Sequence, residues 1–180
     1  FMDDEIFVIS SDDMKERVAI WKDQVPNKTM LITQRMEGYK RDIYSVIGQA
    51  VSEDSENKTA ITDSTGFNVA YVGAEPGNGS TLHTHPEEVE VFIPFSGTWS
   101  VFWNEGSDRE EVRIGPKDCI SVPPKVMRGF RNIGDDYAHL LVIISGAENS
   151  KVTRPEDIVR RAAATGLSLD SEGNLTDATG

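Results

Sequence analysis

Between residues 61 and 147, short apolar segments alternate with turn-forming residues about every 8–12 positions, the pattern of an all-β sandwich or barrel. Phe67, Val69 and Tyr71 fall on one face of a period-two segment, with Asn68, Ala70 and Val72 on the other. Further strands are predicted at 81–85, 89–95, 98–103, 111–114, 119–122, 126–132 and 139–145. Glu75–Ser80, Gly97, Glu105-Gly106, Pro123-Pro124 and Gly134-Asp135 supply turns. A chain of 180 residues has enough apolar surface for one such core and too little for two.

The flanks have a different texture. In region 1–60, Ser10 resembles a helix N-cap, and Met14, Val18 and Trp21 then recur at helical spacing. Ile43, Tyr44, Val46 and Ile47 suit either a strand or a helical stripe, and Ser52–Lys58 is polar and reads as a loop. This region is expected to pack on the barrel as an arm. In region 148–180, Thr153, Pro155 and Glu156 resemble a helix start, Ile158, Val159, Ala162 and Ala163 an apolar stripe, and Gly166 a stop. A loose tail is expected after Leu169. The partition is therefore an arm (1–60), a barrel (61–147), and a C-terminal helix with tail (148–180).

Charge and cysteine content narrow the partners. A net charge of −12 repels phosphate backbones and anionic lipid, so neither nucleic acid nor a membrane is an expected partner. The lone Cys119 permits no intrachain disulfide; inside an apolar run it reads as a buried, inert thiol. The longest apolar run, Leu140–Ile144, is far below the ~20 residues that span a bilayer. Asp3, Asp4 and Glu5 lack the basic-then-apolar order of a signal peptide, and a cytoplasmic location is expected.

The chemistry concentrates in one stretch. His83 and His85, two apart in a strand, project from one face, and Glu90 shares a face with Phe92 on the strand that follows Pro86. A carboxylate amid Val89, Val91 and Ile93 is costly to bury unless something positive meets it. Taken singly, a His-x-His pair or a few glutamates would mean little. Their joint spacing means more: Gly77, five residues, His83-x-His85, four residues, Glu90, six residues, Gly97.

That spacing resembles the first signature motif of the cupin superfamily, over roughly residues 65–147. The resemblance implies a double-stranded β-helix (a jelly-roll barrel) with His83, His85 and Glu90 as metal ligands in its mouth. Asp118–Pro123 followed by Gly129–Asn132 resembles the frame of the second motif, with departures. Lys117 and Lys125 stand where the family places glycines, and Arg128 where it places its last metal-binding histidine.

Two readings follow. In one, the three ligands form the two-histidine, one-carboxylate face that suits non-haem Fe(II), with Mn, Ni or Zn as other divalent candidates, and Arg128 grips an anionic substrate. In the other, Arg128 replaces the metal by pairing with Glu90, and the barrel is a metal-free small-molecule binding or sensor protein. An ion ~5 Å from a guanidinium is repelled by roughly 6–7 kcal/mol at an effective dielectric of 20, before Glu90 offsets it. Retention of both histidines favours the metal reading. A dioxygenase-type oxidoreductase acting on a small organic acid is expected, with a metal-dependent lyase or isomerase, or a metal-stabilised barrel without catalysis, as alternatives. Phe92 and Phe130, by strand parity, are expected beside the substrate. His139 is expected near solvent, on a strand pairing with 126–132, and not as a ligand. The resemblance also implies a homodimer.

Overall fold

The structure is a computed structural model, and the description covers residues 6–49, 51–146 and 152–177. The acidic residues Asp3–Glu5 lie outside the described residues. Among those described, no helix is long and apolar enough to cross a membrane.

Among the described residues ten strands form: β1 (Asp42–Ile47), β2 (Phe67–Ala74), β3 (Glu90–Pro94), β4 (Trp99–Trp103), β5 (Glu110–Ile114), β6 (Ile120–Val122), β7 (Arg128–Asn132), β8 (Ala138–Ser145), β9 (Leu167–Leu169) and β10 (Leu175–Asp177). A five-stranded sheet, ordered β1-β2-β8-β3-β6, faces a three-stranded sheet, ordered β5-β4-β7. All pairings within both are antiparallel. The architecture is the all-β jelly roll that the strand pattern calls for, with β1 contributed by the N-terminal region.

Period-two patterning builds the core between the sheets. Along β8, Ala138, Leu140, Val142 and Ile144 are buried while the residues between them are only half-buried. They meet Phe92 from β3, Trp99 and Val101 from β4, and Phe130 from β7. Asn132 ties the end of the barrel: its amide donates to the carbonyls of Ala74 and Asp136, and its Oδ1 accepts from Gly134 N–H.

Several expectations are corrected. β8 pairs with β2 and β3, not with the 126–132 strand, whose partner is β4. The N-terminal helix, α1, spans only Ser11–Lys15; Ser10 does cap it, accepting from Asp13 N–H. Beyond it the chain extends, so Met14 and Val18 are exposed and Trp21 packs tilted against Tyr44 and edge-on to Tyr71 and His139, outside the five-stranded sheet. Aromatic contact on a sheet won over helical periodicity. The C-terminal helix, α2 (Glu156–Ala163), follows Pro155, and no side chain caps it; Thr153 pairs instead with Thr84. Ile158 and Ala162 are its buried residues, and Val159 is exposed. The tail after Leu169 turns back as the β9–β10 hairpin, with Leu167, Leu169 and Leu175 packed against Ile32, Met36 and Ala162. Cys119 is exposed, because the preceding Gly115–Asp118 turn delays β6 until Ile120.

Lys117 and Lys125, at φ 77° and 64°, hold the left-handed backbone that glycine adopts freely. Left-handed backbone costs a side-chain-bearing residue about 1–2 kcal/mol, partly offset by glycine's larger entropy loss of about 0.5–1 kcal/mol on folding. Lys117→Gly is therefore expected to raise stability by up to about 1 kcal/mol, read as a higher urea midpoint. Gly97→Ala is expected to lower it, since φ is 70° and a Cβ there would meet Ala138 Cβ at 2.4 Å.

Candidate metal centre

The stretch before His83 runs antiparallel to β7 without becoming a regular strand, where a strand over 81–85 was expected. Gly79 sits opposite Arg131 and His83 opposite Arg128, so four steps on one side match three on the other. This is a bulge, and it re-aims the side chains beyond it. Ser80 fills the gap: its N–H donates to Phe130 O, and its hydroxyl accepts from Phe130 N–H. Gly79 lies so close to β7 that a Cβ would fall 2.0 Å from Phe130 O. Past the bulge, His83 and Arg128 exchange both backbone hydrogen bonds (2.9 and 2.8 Å). Lys125 N–H donates to His85 O at 2.8 Å, which anchors the second histidine.

Glu90 approaches from the other side. It opens β3 in the five-stranded sheet, paired with Val122 and Ile144, whereas the histidine segment lies along β7 of the three-stranded sheet. The three side chains thus meet across the barrel interior, not from neighbouring strands as the sequence suggested. His83 Nε2 and His85 Nε2 are each 3.4 Å from Glu90 Oε2. One ligand atom from each of the three residues lies within 4.8 Å of the others. All three residues are buried.

Three features suit this cluster to a divalent ion. Metal bonds of ~2.1 Å place neighbouring ligand atoms ~3–3.5 Å apart, which the two contacts to Glu90 match. His83 Nδ1 is 2.9 Å from Thr81 O; donating there fixes the tautomer that leaves Nε2 as a lone pair facing Glu90. Glu90 Oε2 is buried without a hydrogen bond. Burial by itself would push the Glu90 carboxyl up, but the two imidazoles outweigh it and hold the group below the usual carboxylate range. Burial pushes His83 down, against the opposing pull of Glu90. A neutral imidazole beside an ionised carboxylate is the protonation state of metal ligands.

Arg128 is fully buried, and its Nε is 3.6 Å from Glu90 Oε2. One Nη donates to Pro123 O at 2.8 Å. Burial lowers its pKa, opposed by Glu90 and Glu88. The side chain therefore stands beside the carboxylate and does not line the cavity that His83, His85 and Glu90 share. That cavity, of about 70 Å³, is walled by Met30, Ile43, Val72, Phe130 and Ile144 among others. Phe130 reaches it; Phe92 lies behind, its ring centroid 5.3 Å from that of Phe130. His139 points to the outer face, 5.1 Å from the Tyr137 ring.

One charged residue of the cavity wall escaped the sequence reading. Arg41, one residue before β1, and Ile43 and Ser45 within it alternate along the chain, and all three face the cavity. A strand reading of Ile43–Ile47 carries the signal by parity, but helical and strand readings were equally good there. Glu53, from the segment read as a polar loop, is buried and paired with Arg154. Its other oxygen accepts from Ile32 N–H at 2.6 Å.

A small antiparallel barrel with a ligand cluster across its interior defines the class. Residues 70–144 match the family model described as Cupin domain. Among solved structures, an oxalate decarboxylase from Lactobacillus farciminis, in a formate complex, aligns at TM-score 0.55 and 18% identity over 78% of this chain. The alignment covers 36% of that protein, so the chain spans about a third of its length. Peruvianin-I, described as a cysteine peptidase from Thevetia peruviana latex, aligns at TM-score 0.56 and 14% identity over 84% of this chain and 88% of its own. A cupin 2 domain-containing protein from Halorhodospira halophila aligns at TM-score 0.46 and 23% identity, over 57% of this chain and 68% of its own. Comparison with curated proteins gave no match. Residues 70–144 thus resemble a cupin domain, and the likeness to solved structures shows the same fold.

Removing one partner of a buried ion pair strands the other and costs about 3–5 kcal/mol. In metal-free protein, Arg128→Met is expected to destabilise by about that amount in urea titrations. Adding Glu90→Gln to Arg128→Met is expected to cost less than the sum of the single changes, a coupling visible in a double-mutant cycle.

Proposed function

We propose that this protein is a metal-dependent cupin in which His83, His85 and Glu90 hold one divalent ion, Fe(II) in first place, and that it acts on a small organic anion as a dioxygenase-type oxidoreductase. The observation that carries this reading is the convergence of two imidazole nitrogens and one buried carboxylate oxygen within 4.8 Å. Two histidines and one carboxylate on one face of an ion leave coordination positions for substrate and for O₂. A bound ion would supply Lewis acidity and, if redox-active, electrons for dioxygen chemistry.

The chain's own residues do the rest. Thr81 O fixes the His83 ring, and the Lys125 N–H anchors the backbone at His85. Arg128 occupies the place of a fourth ligand and keeps a positive charge beside Glu90 Oε2. A carboxylate between two cations attracts both, which offsets much of the repulsion between an ion and Arg128. The apolar wall, including Phe130, excludes water, strengthening every charge interaction inside.

Two observations support other readings. The 3.6 Å approach of Arg128 to Glu90 favours a metal-free binding protein. The likeness to an oxalate decarboxylase keeps a lyase in view, although the same fold in a protein described as a cysteine peptidase cautions that fold does not choose chemistry.

Elemental analysis of protein purified without added metal separates these. Near-stoichiometric iron, manganese, nickel or zinc is expected, lost in the His83→Ala, His85→Ala double variant. Wild-type protein that stays metal-free after incubation with each ion would refute the metal reading. Turnover of short organic acids is expected to consume O₂ at an oxygen electrode; equal turnover under anaerobic conditions would assign a lyase or isomerase instead.

A further inference from the structure

Among the described residues, three arginines are buried around the barrel mouth, and two have an acid. Arg128 faces Glu90 at 3.6 Å, and Arg154 pairs with Glu53. Arg41 does not. The residue is 7% exposed, yet among the described residues its hydrogen-bond partners are neutral: Tyr39 O at 2.8 Å, Gly79 O at 3.2 Å and Thr33 Oγ1 at 3.3 Å. No carboxylate of a described residue lies within ion-pair distance of it. A buried cation held only by neutral acceptors is costly, and a fixed cost of this kind at a cavity wall is what an anionic ligand relieves.

The cavity itself has the matching charge. Arg41 lines the same space as His83, His85 and Glu90. Counting Glu90 and Arg41 on its wall and Arg128 behind Glu90, the fixed charge is +1 without an ion and +3 with a divalent one, inside a protein of net charge −12. A volume of about 70 Å³ admits only a handful of non-hydrogen atoms. Arg41 stays protonated at neutral pH: burial and Arg154 push its pKa down to about 9, while Glu53 and Glu90 oppose that.

We propose that Arg41, supplied by the N-terminal region, is the anion-recognition residue of this cavity, and that it takes one carboxylate of a short-chain mono- or dicarboxylic acid by charge-assisted hydrogen bonds. Arg128, committed to Glu90 and Pro123, is not that residue. The inference rests on the reading of His83, His85 and Glu90 as the reactive end of the same cavity, and it deepens that reading by naming the substrate class. Apolar side chains fill most of the remaining wall, which favours short acids.

The test uses calorimetry and thermal shift with formate, acetate and oxalate, on chelator-stripped and on metal-loaded full-length protein, with acetamide as the neutral isostere of acetate. At least one anion is expected to bind both forms, and acetamide neither. Arg41→Gln is expected to weaken that anion by about ten-fold or more, the loss typical of a charge-assisted pair. Its metal content should stay unchanged, and exposed Lys58→Gln should bind as wild type. If Arg41→Gln fails to fold, Arg41→Lys carries the test, since it keeps the charge and loses the planar fork; oxalate is expected to weaken more than formate. Anion affinity unchanged in the Arg41 variant, or no anion binding by wild type in either form, overturns the inference. Arg41-dependent binding in a protein that never takes up metal would leave this inference standing and sink the metal reading alone.

Discussion

A single buried carboxylate organises the interior of this barrel. Glu90 cannot stay ionised there without positive or hydrogen-bonding neighbours, and the fold provides them from the opposite sheet: two imidazoles and one guanidinium, all within 3.6 Å of the same oxygen. The bulge opposite β7, the close approach of Gly79 and the Ser80 hydroxyl bring those groups to bear. Remove the carboxylate and Arg128 becomes the stranded charge. The site and the stability of the barrel's mouth are therefore the same arrangement of charges.

That arrangement distinguishes this chain within its superfamily resemblance. Where the second motif departs from the resemblance, the backbone takes a conformation that glycine favours. Lys117 and Lys125 adopt left-handed φ despite bearing side chains. Arg128 stands where the resemblance places a histidine, and its guanidinium turns toward Glu90. The chemistry of this chain is therefore to be sought in the electrostatics of the cavity and not in the fold alone.

Much of this was legible in the chain. Period-two alternation located β2 through β8 to within a few residues, because burying one sheet face imposes that period directly. The His83-x-His85 and Glu90 spacing brought the right residues together. Other features were not legible, each for a physical reason. β8 pairs with β2 and β3 through contacts distant in sequence, which alternation does not encode. The Met14–Val18–Trp21 stripe had helical spacing, but the surface that receives Trp21 is a sheet, and no local pattern records it. The burial of Arg41 and Glu53 left no local signal, because it depends on contacts with residues distant in sequence, such as Arg154 with Glu53.

The histidines and the carboxylate belong to different sheets. Any sliding or spreading of one layer against the other must therefore lengthen the contacts inside the cluster directly. A shared ion would act as a rivet between the layers, and its coordination geometry would register how tightly they are clamped. Spectra of a bound transition metal would in that sense be a gauge of sheet packing, read from the centre of the molecule outward.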